Sequence, residues 1–155
     1  MISPETLKRF PFFASLNEEQ IKQLAMIGEE VEFNKDQLVV EECQPANTLY
    51  VLMEGSADLY FTVQDDKTNT KKQFFVGEIT SGDPFGITVL LEPYQHFSTV
   101  RCTSPCKAIA LDGIKLREMA DDDPVLAKNI LKHIALAAME RLNNTRIQLA
   151  AAWAS

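Results

Sequence analysis

Residues 82–99 read GDPFGITVLLEPYQHFST, a stretch that opens in a turn, passes through one short apolar helical segment and closes in a polar loop. Gly82-Asp83-Pro84 is turn chemistry, Phe85 is an apolar anchor, and Gly86 lets the backbone come close to a ligand. Ile87 and Thr88 begin a run to Leu91 that reads as a single helical turn. The first turn of a helix presents unpaired N–H groups and a partial positive charge, so a turn opening at Gly86 can receive an anion through backbone alone. A loop from Glu92 to His96 follows, and Phe97, Ser98 and Thr99 lead into an alternating segment to Cys102 that predicts a strand.

On either side of this stretch the pattern is strand-like. Val31 and Phe33, Leu38 and Val40, then Leu49, Val51 and Met53 recur with period two, and turn residues separate them. Gly55 divides residues 48–54 from 56–63, which predicts a tight bend. Residues 64–70 form a polar hairpin tip, with Lys71-Lys72 as its flank. Residues 74–79, 97–102 and 107–111 complete a set of short strands with frequent turns, the pattern of a sandwich or rolled barrel. Before them, Asn17-Glu18-Glu19-Gln20 is a capped helix start, Ile21, Leu24, Ala25 and Ile27 follow at helical spacing, and Gly28 suits the terminating position.

After Asp112-Gly113 the period becomes helical. Asp121-Asp122-Asp123-Pro124 predicts a helix start, with carboxylates at the positive end of the dipole and proline at the first helical position. No Gly or Pro interrupts the run to Ala152, so one helix of about 29 residues is expected. Leu131, Ile134, Ala138, Leu142, Thr145, Leu149 and Ala152 form a stripe suited to a parallel partner helix, which predicts a homodimer. Val125, Leu126, Ile130 and Met139 lie off that seam and are expected to pack back onto the strands.

A chain of 155 residues with 46% apolar and 24% charged residues is one globular domain, expected to span 1–155: a helical segment over 1–28, strands over 29–111 and helices over 112–155. A net charge of −7 without a basic cluster argues against a nucleic-acid surface, and no apolar run approaches a membrane span. Cys43, Cys102 and Cys106 leave an odd thiol, and no leader segment is read at the start, so a reducing cytoplasm is the expected setting. The Cys102-x3-Cys106 spacing lacks the second ligand pair of a zinc site, and buried strand cysteines are the expected reading. His96 and His133 have no neighbouring histidine, and no nucleophile elbow or phosphate-binding glycine loop occurs, so neither a catalytic residue nor a metal or other cofactor is expected.

The cassette at 82–99, with its surrounding strands and long terminal helix, resembles the cyclic-nucleotide-binding domain family over nearly the whole chain. The resemblance implies a mainly β fold with flanking helices: a jelly-roll-like β-roll, or double-stranded β-helix, followed by a long dimerisation helix. Phe85, Gly86, Leu90, Leu91 and Thr99 match the family's cassette. Ile87 stands at the glutamate that would accept the ribose hydroxyl, His96 at the arginine that would pair with the cyclic phosphate, and Phe97 at the small residue beside it. Thr145 matches a threonine that touches the adenine ring in the catabolite-activator branch. Hydrogen bonds to charged groups contribute roughly 1.5–3 kcal/mol each, so losing two weakens binding by about two to four orders of magnitude. Weak or absent cyclic AMP binding is therefore expected, with Ile87 and Phe97 filling the vacated pocket. The implied function is a regulatory module that senses a cyclic nucleotide or another anion and signals to an effector protein. The alternative is the sensor part of a transcription regulator, truncated before its helix-turn-helix, since the chain stops at Ser155.

Overall fold

The computed structural model describes residues 1–154. Two four-stranded antiparallel sheets face each other. The first has the order β1 (Gly28–Phe33), β8 (Cys106–Asp112), β3 (Thr48–Glu54), β6 (Pro84–Phe85); the second has β2 (Leu38–Val40), β7 (Thr99–Cys102), β4 (Ala57–Asp65), β5 (Thr70–Ile79). The result is the expected β-roll.

β3 explains how the layers stack. Leu49, Val51 and Met53 point to a helical layer outside the roll, whereas Tyr50 and Leu52 point between the sheets. Both faces of the strand are therefore covered, and its sequence is a continuous apolar run. The outer layer is α1 (Pro4–Lys8), α2 (Glu18–Met26), a 3-10 turn at Pro11–Phe13 and the start of the terminal helix. α2 begins in the expected capping box, Asn17 accepting from Gln20 N at 2.8 Å and Gln20 Oε1 accepting from Asn17 N at 3.0 Å.

Several local expectations change. Gly28 does not terminate α2 but opens β1, where the methyl groups of Ile2 and Leu111 leave only 3.0 Å for a Cβ. β5 starts at Thr70, so the Lys71-Lys72 flank is strand, held by pairing with Gln64 and Val63 of β4. Gly55 does make the bend, at φ 95°, where a side chain would meet Pro105 O at 2.4 Å.

α3 (Gly113–Asp122) is capped by Asp112, whose Oδ1 accepts from Ile114 N and Lys115 N. Gly113 lies against the roll, where a Cβ would sit 2.4 Å from Val89 Cγ2 and 2.7 Å from Asn47 O. Asp123 caps α4 (Pro124–Ala154), accepting from Leu126 N at 3.0 Å and from the Gln20 amide at 3.1 Å; these bonds hold its carboxyl below the usual range.

The face that α4 presents to the roll is not the expected one. Leu126, Ile130, Ile134 and Ala137 are buried, followed by half-buried Arg141 and Asn144. Ile134, expected in the dimer seam, is 3% exposed and belongs to the helical core. Val125 and Met139, expected on the roll, are exposed. The other seam residues, Leu131, Ala138, Leu142, Thr145 and Leu149, do lie on exposed surface. No helix among the described residues is long and apolar enough to cross a membrane.

Candidate ligand-binding site

The cassette begins on a turn bolted to β3. Gly82 N donates to Leu52 O and Leu52 N to Asp83 O, while Asp83 Oδ2 accepts from Thr80 N at 2.9 Å. Pro84 and Phe85 pair with Val51 and Tyr50. Gly86 then turns the chain at φ 71°, with Thr48 O 2.7 Å from where a Cβ would lie, so a side chain here would be strained and obstructed. Beside it the Tyr50 ring stacks on Phe85 at 4.9 Å, and Phe33 meets Tyr50 edge-on at 6.0 Å. Burial pushes the Tyr50 phenol above its ordinary value.

The helical turn is a 3-10 turn, Ile87–Leu90. Val89 is fully buried, and half-buried Ile87 and Leu90 pack against the helical core. The amides of Ile87 and Thr88 donate to nothing within the described residues. Thr88 Oγ1 donates to Gln95 O at 2.8 Å, which folds the following loop back on the turn.

That loop is tied down by backbone. Ala46 N donates to Tyr94 O, His96 N to Gln44 O and Cys43 N to His96 O. His96 is half-buried, and its burial pushes the imidazole below its ordinary value, so at neutral pH it is an uncharged ring. Phe97 is 85% exposed and fills nothing, a correction to the expected plugging of the pocket. Ser98 is half-buried and Thr99 buried. Arg101 lies over the Tyr60 ring at 5.4 Å, which keeps it out of the cassette.

Three charged residues at the cassette were not legible beforehand. Glu42 Oε1 accepts from Thr99 Oγ1 at 3.0 Å and from Thr62 N at 2.8 Å, continuing the β4 edge where β7 stops. A carboxylate thus stands at the cassette's end, beside an open groove of about 580 Å³ that Thr99, Tyr60, Lys71 and Lys72 also line. Arg117 of α3 donates from Nε to Val89 O at 2.7 Å and from its terminal nitrogen to Ala46 O, with its guanidinium 3.9 Å from the Tyr94 ring centre. Arg141 of α4 donates to Pro84 O. Each contact joins residues far apart in the chain, so neither periodicity nor a local motif announces it.

Thr145 does not reach its own roll. Its hydroxyl donates to Arg141 O at 2.9 Å along the helix and its side chain is exposed. The residues that do face the roll there are Arg141, Asn144 and Gln148, the last donating to Val76 O at 3.2 Å.

Comparison with known proteins places this geometry. The sequence profile of the cyclic nucleotide-binding domain matches residues 30–123, more than half of the chain. The chain belongs to the cyclic nucleotide-binding domain family. A candidate cyclic nucleotide-binding protein from Geobacter metallireducens GS-15, known from its crystal structure, is 33% identical with a TM-score of 0.80, over 92% of this chain and 99% of that one. The N-terminal domain of a transcriptional regulator from Streptomyces coelicolor A3(2) is 26% identical with a TM-score of 0.65, over 90% of this chain and 93% of that one. The CRP-like cAMP-activated global transcriptional regulator of Mycobacterium tuberculosis is 23% identical over 145 residues. That match takes in 94% of this chain but only 62% of the relative's length. The last two of these relatives are transcriptional regulators.

Proposed function

We propose that this domain is a regulatory sensor in which cyclic AMP binding is weak or absent and whose output is carried by α4 in a homodimer. The observation that carries the reading is the charge of the cassette: Ile87 is committed to the helical core, His96 is held neutral, and Glu42 supplies a carboxylate at Thr99. An anionic phosphodiester meets backbone donors and no cation from the cassette itself. Thr88 and Ser98, with Thr99 where it lines the groove beside Glu42, form the remaining ligand surface, over the turn built by Phe85 and Gly86. Non-enzymatic action, a cytoplasmic setting and an effector protein as partner belong to the same reading, as does a single unit over 1–155.

Isothermal titration with cyclic AMP tests it. The expected dissociation constant is about 0.1 mM or weaker, and low-micromolar affinity would overturn the reading. A thermal-shift panel of cyclic AMP, cyclic GMP, cyclic dinucleotides and small carboxylic acids looks for the true ligand, which at a hundred times its dissociation constant adds about 2.7 kcal/mol.

The exposed apolar residues of α4 support the dimer. Leu142 and Leu149 are exposed on the seam, with Trp153 beyond them. Leu142→Glu is expected to give monomers in sedimentation velocity, because a seam charge would be desolvated without a partner; an unchanged dimer would place the interface elsewhere. A second reading, the sensor part of a longer transcription regulator, is favoured by the curated relatives, of whose length this chain spans 62%.

A further inference from the structure

Two guanidinium groups reach the cassette from the C-terminal helices, and both bind backbone carbonyls. Arg117 of α3 takes Val89 O, at the end of the 3-10 turn, and Arg141 of α4 takes Pro84 O, just before Gly86. Neither arginine forms an ion pair; among the described residues the two ion pairs are those of Lys8. A forked cation grips planar acceptors in a defined geometry, yet a neutral carbonyl holds it less firmly than a carboxylate would.

α4 itself has two parts. Up to Ala137 it is fastened by Leu126, Ile130 and Ile134 in the apolar core. Beyond Ala137 every described residue is exposed except half-buried Arg141 and Asn144. Polar contacts fasten this second part to the roll: Arg141 on Pro84 O and Gln148 Nε2 on Val76 O. A small cavity of about 20 Å³, the volume of a single water, lies beneath Arg141.

We propose that Arg117 and Arg141 clamp the cassette to the C-terminal helices by its backbone, and that Arg141 is a latch whose release frees the second part of α4 while the first stays in the core. The clamp works without any ligand. It makes the main chain at Pro84 and Val89, rather than a ligand-facing side chain, the place where cassette position is passed to α4 and α3. Arg117 also holds Ala46 and Tyr94, so it fixes the cassette loop, whereas Arg141 fixes only the start of the cassette and the helix.

Hydrogen–deuterium exchange on the ligand-free protein tests it. Arg141→Met is expected to raise exchange about tenfold or more in residues 141–154 and 84–91, leaving 126–137 unchanged. Arg117→Met is expected to raise exchange in 44–48 and 86–95, leaving 141–154 unchanged. Amides of β3 and β8 report whether the roll stays folded. Should Arg141→Met loosen them, Arg141→Lys, which weakens the same contact more gently, is expected to give the same localised rise. Unchanged protection in 84–91 with any of these, or equal loosening of 126–137 and 141–154, would overturn the latch.

Discussion

Ile87 and Phe97 stand at opposite ends of one cassette, at positions where the resemblance to the family implies a glutamate and a small residue. Ile87 is packed into the helical core beside Val89 and Leu90, while Phe97 projects into solvent, 85% exposed. The fold uses the two positions differently. At the first end the side chain packs against the fold, so replacing it disturbs packing; at the second the side chain is free in solvent. The cassette thus joins a structural half to an unconstrained half, and the two should answer mutation differently.

The largest effect is expected at the first end. Ile87→Glu should lower unfolding free energy by about 2 kcal/mol in denaturant titration, because a carboxylate would be pressed against apolar side chains. Its combination with His96→Arg should for that reason gain little cyclic AMP affinity. A neutral Ile87→Glu would break the comparison by showing that the side chain faces open space.

Between the two ends lies His96. Its folded-state pKa is below the ordinary value of 6.5 because the ring is half-buried. The unfolded chain therefore binds the extra proton first, and stability is lost as pH falls from about 6.5 through the lower folded value. Above that window it contributes no slope. Melting temperature measured across the window for wild type and His96→Asn should show a shallow fall that the variant lacks; identical profiles would mean the ring is more accessible than its surroundings indicate.

The smallest effect belongs to Phe97. Phe97→Ala should alter stability by no more than about 0.5 kcal/mol, as surface substitutions do, and should leave exchange in 84–91 as it is. A loosened cassette would return Phe97 to a structural role and merge the two halves.

What could be read beforehand follows the range of the forces involved. β3 was legible to the residue because its apolar run ends against Gly55, and the α2 capping box and the Asp123-Pro124 start of α4 are likewise local. The turn at Gly86 was legible because few other residues accept that backbone and that distance to Thr48 O. The buried face of α4 was not. The helix spreads apolar and polar residues around its whole circumference, so hydrophobic spacing cannot choose a side, and the side is chosen in part by Arg141, Asn144 and Gln148, polar residues that hydropathy assigns to water. Ile134, Val125 and Met139 were misplaced for that reason. The first residues of β5 were missed similarly, since Thr70 to Gln73 are polar and become strand only through their partners on β4.

Gly113 has a mechanical consequence. With no side chain at this point, α3 begins with its backbone directly on Val89 Cγ2 and with Gly113 N bonded to Asn47 O at 2.8 Å. A joint padded by a flexible side chain can absorb a small displacement by changing rotamer; a joint of bare backbone on a buried methyl group has no such slack. Val89 and the first turn of α3 therefore mesh like gear teeth without backlash, and even a sub-ångström shift of the 3-10 turn is delivered to α3.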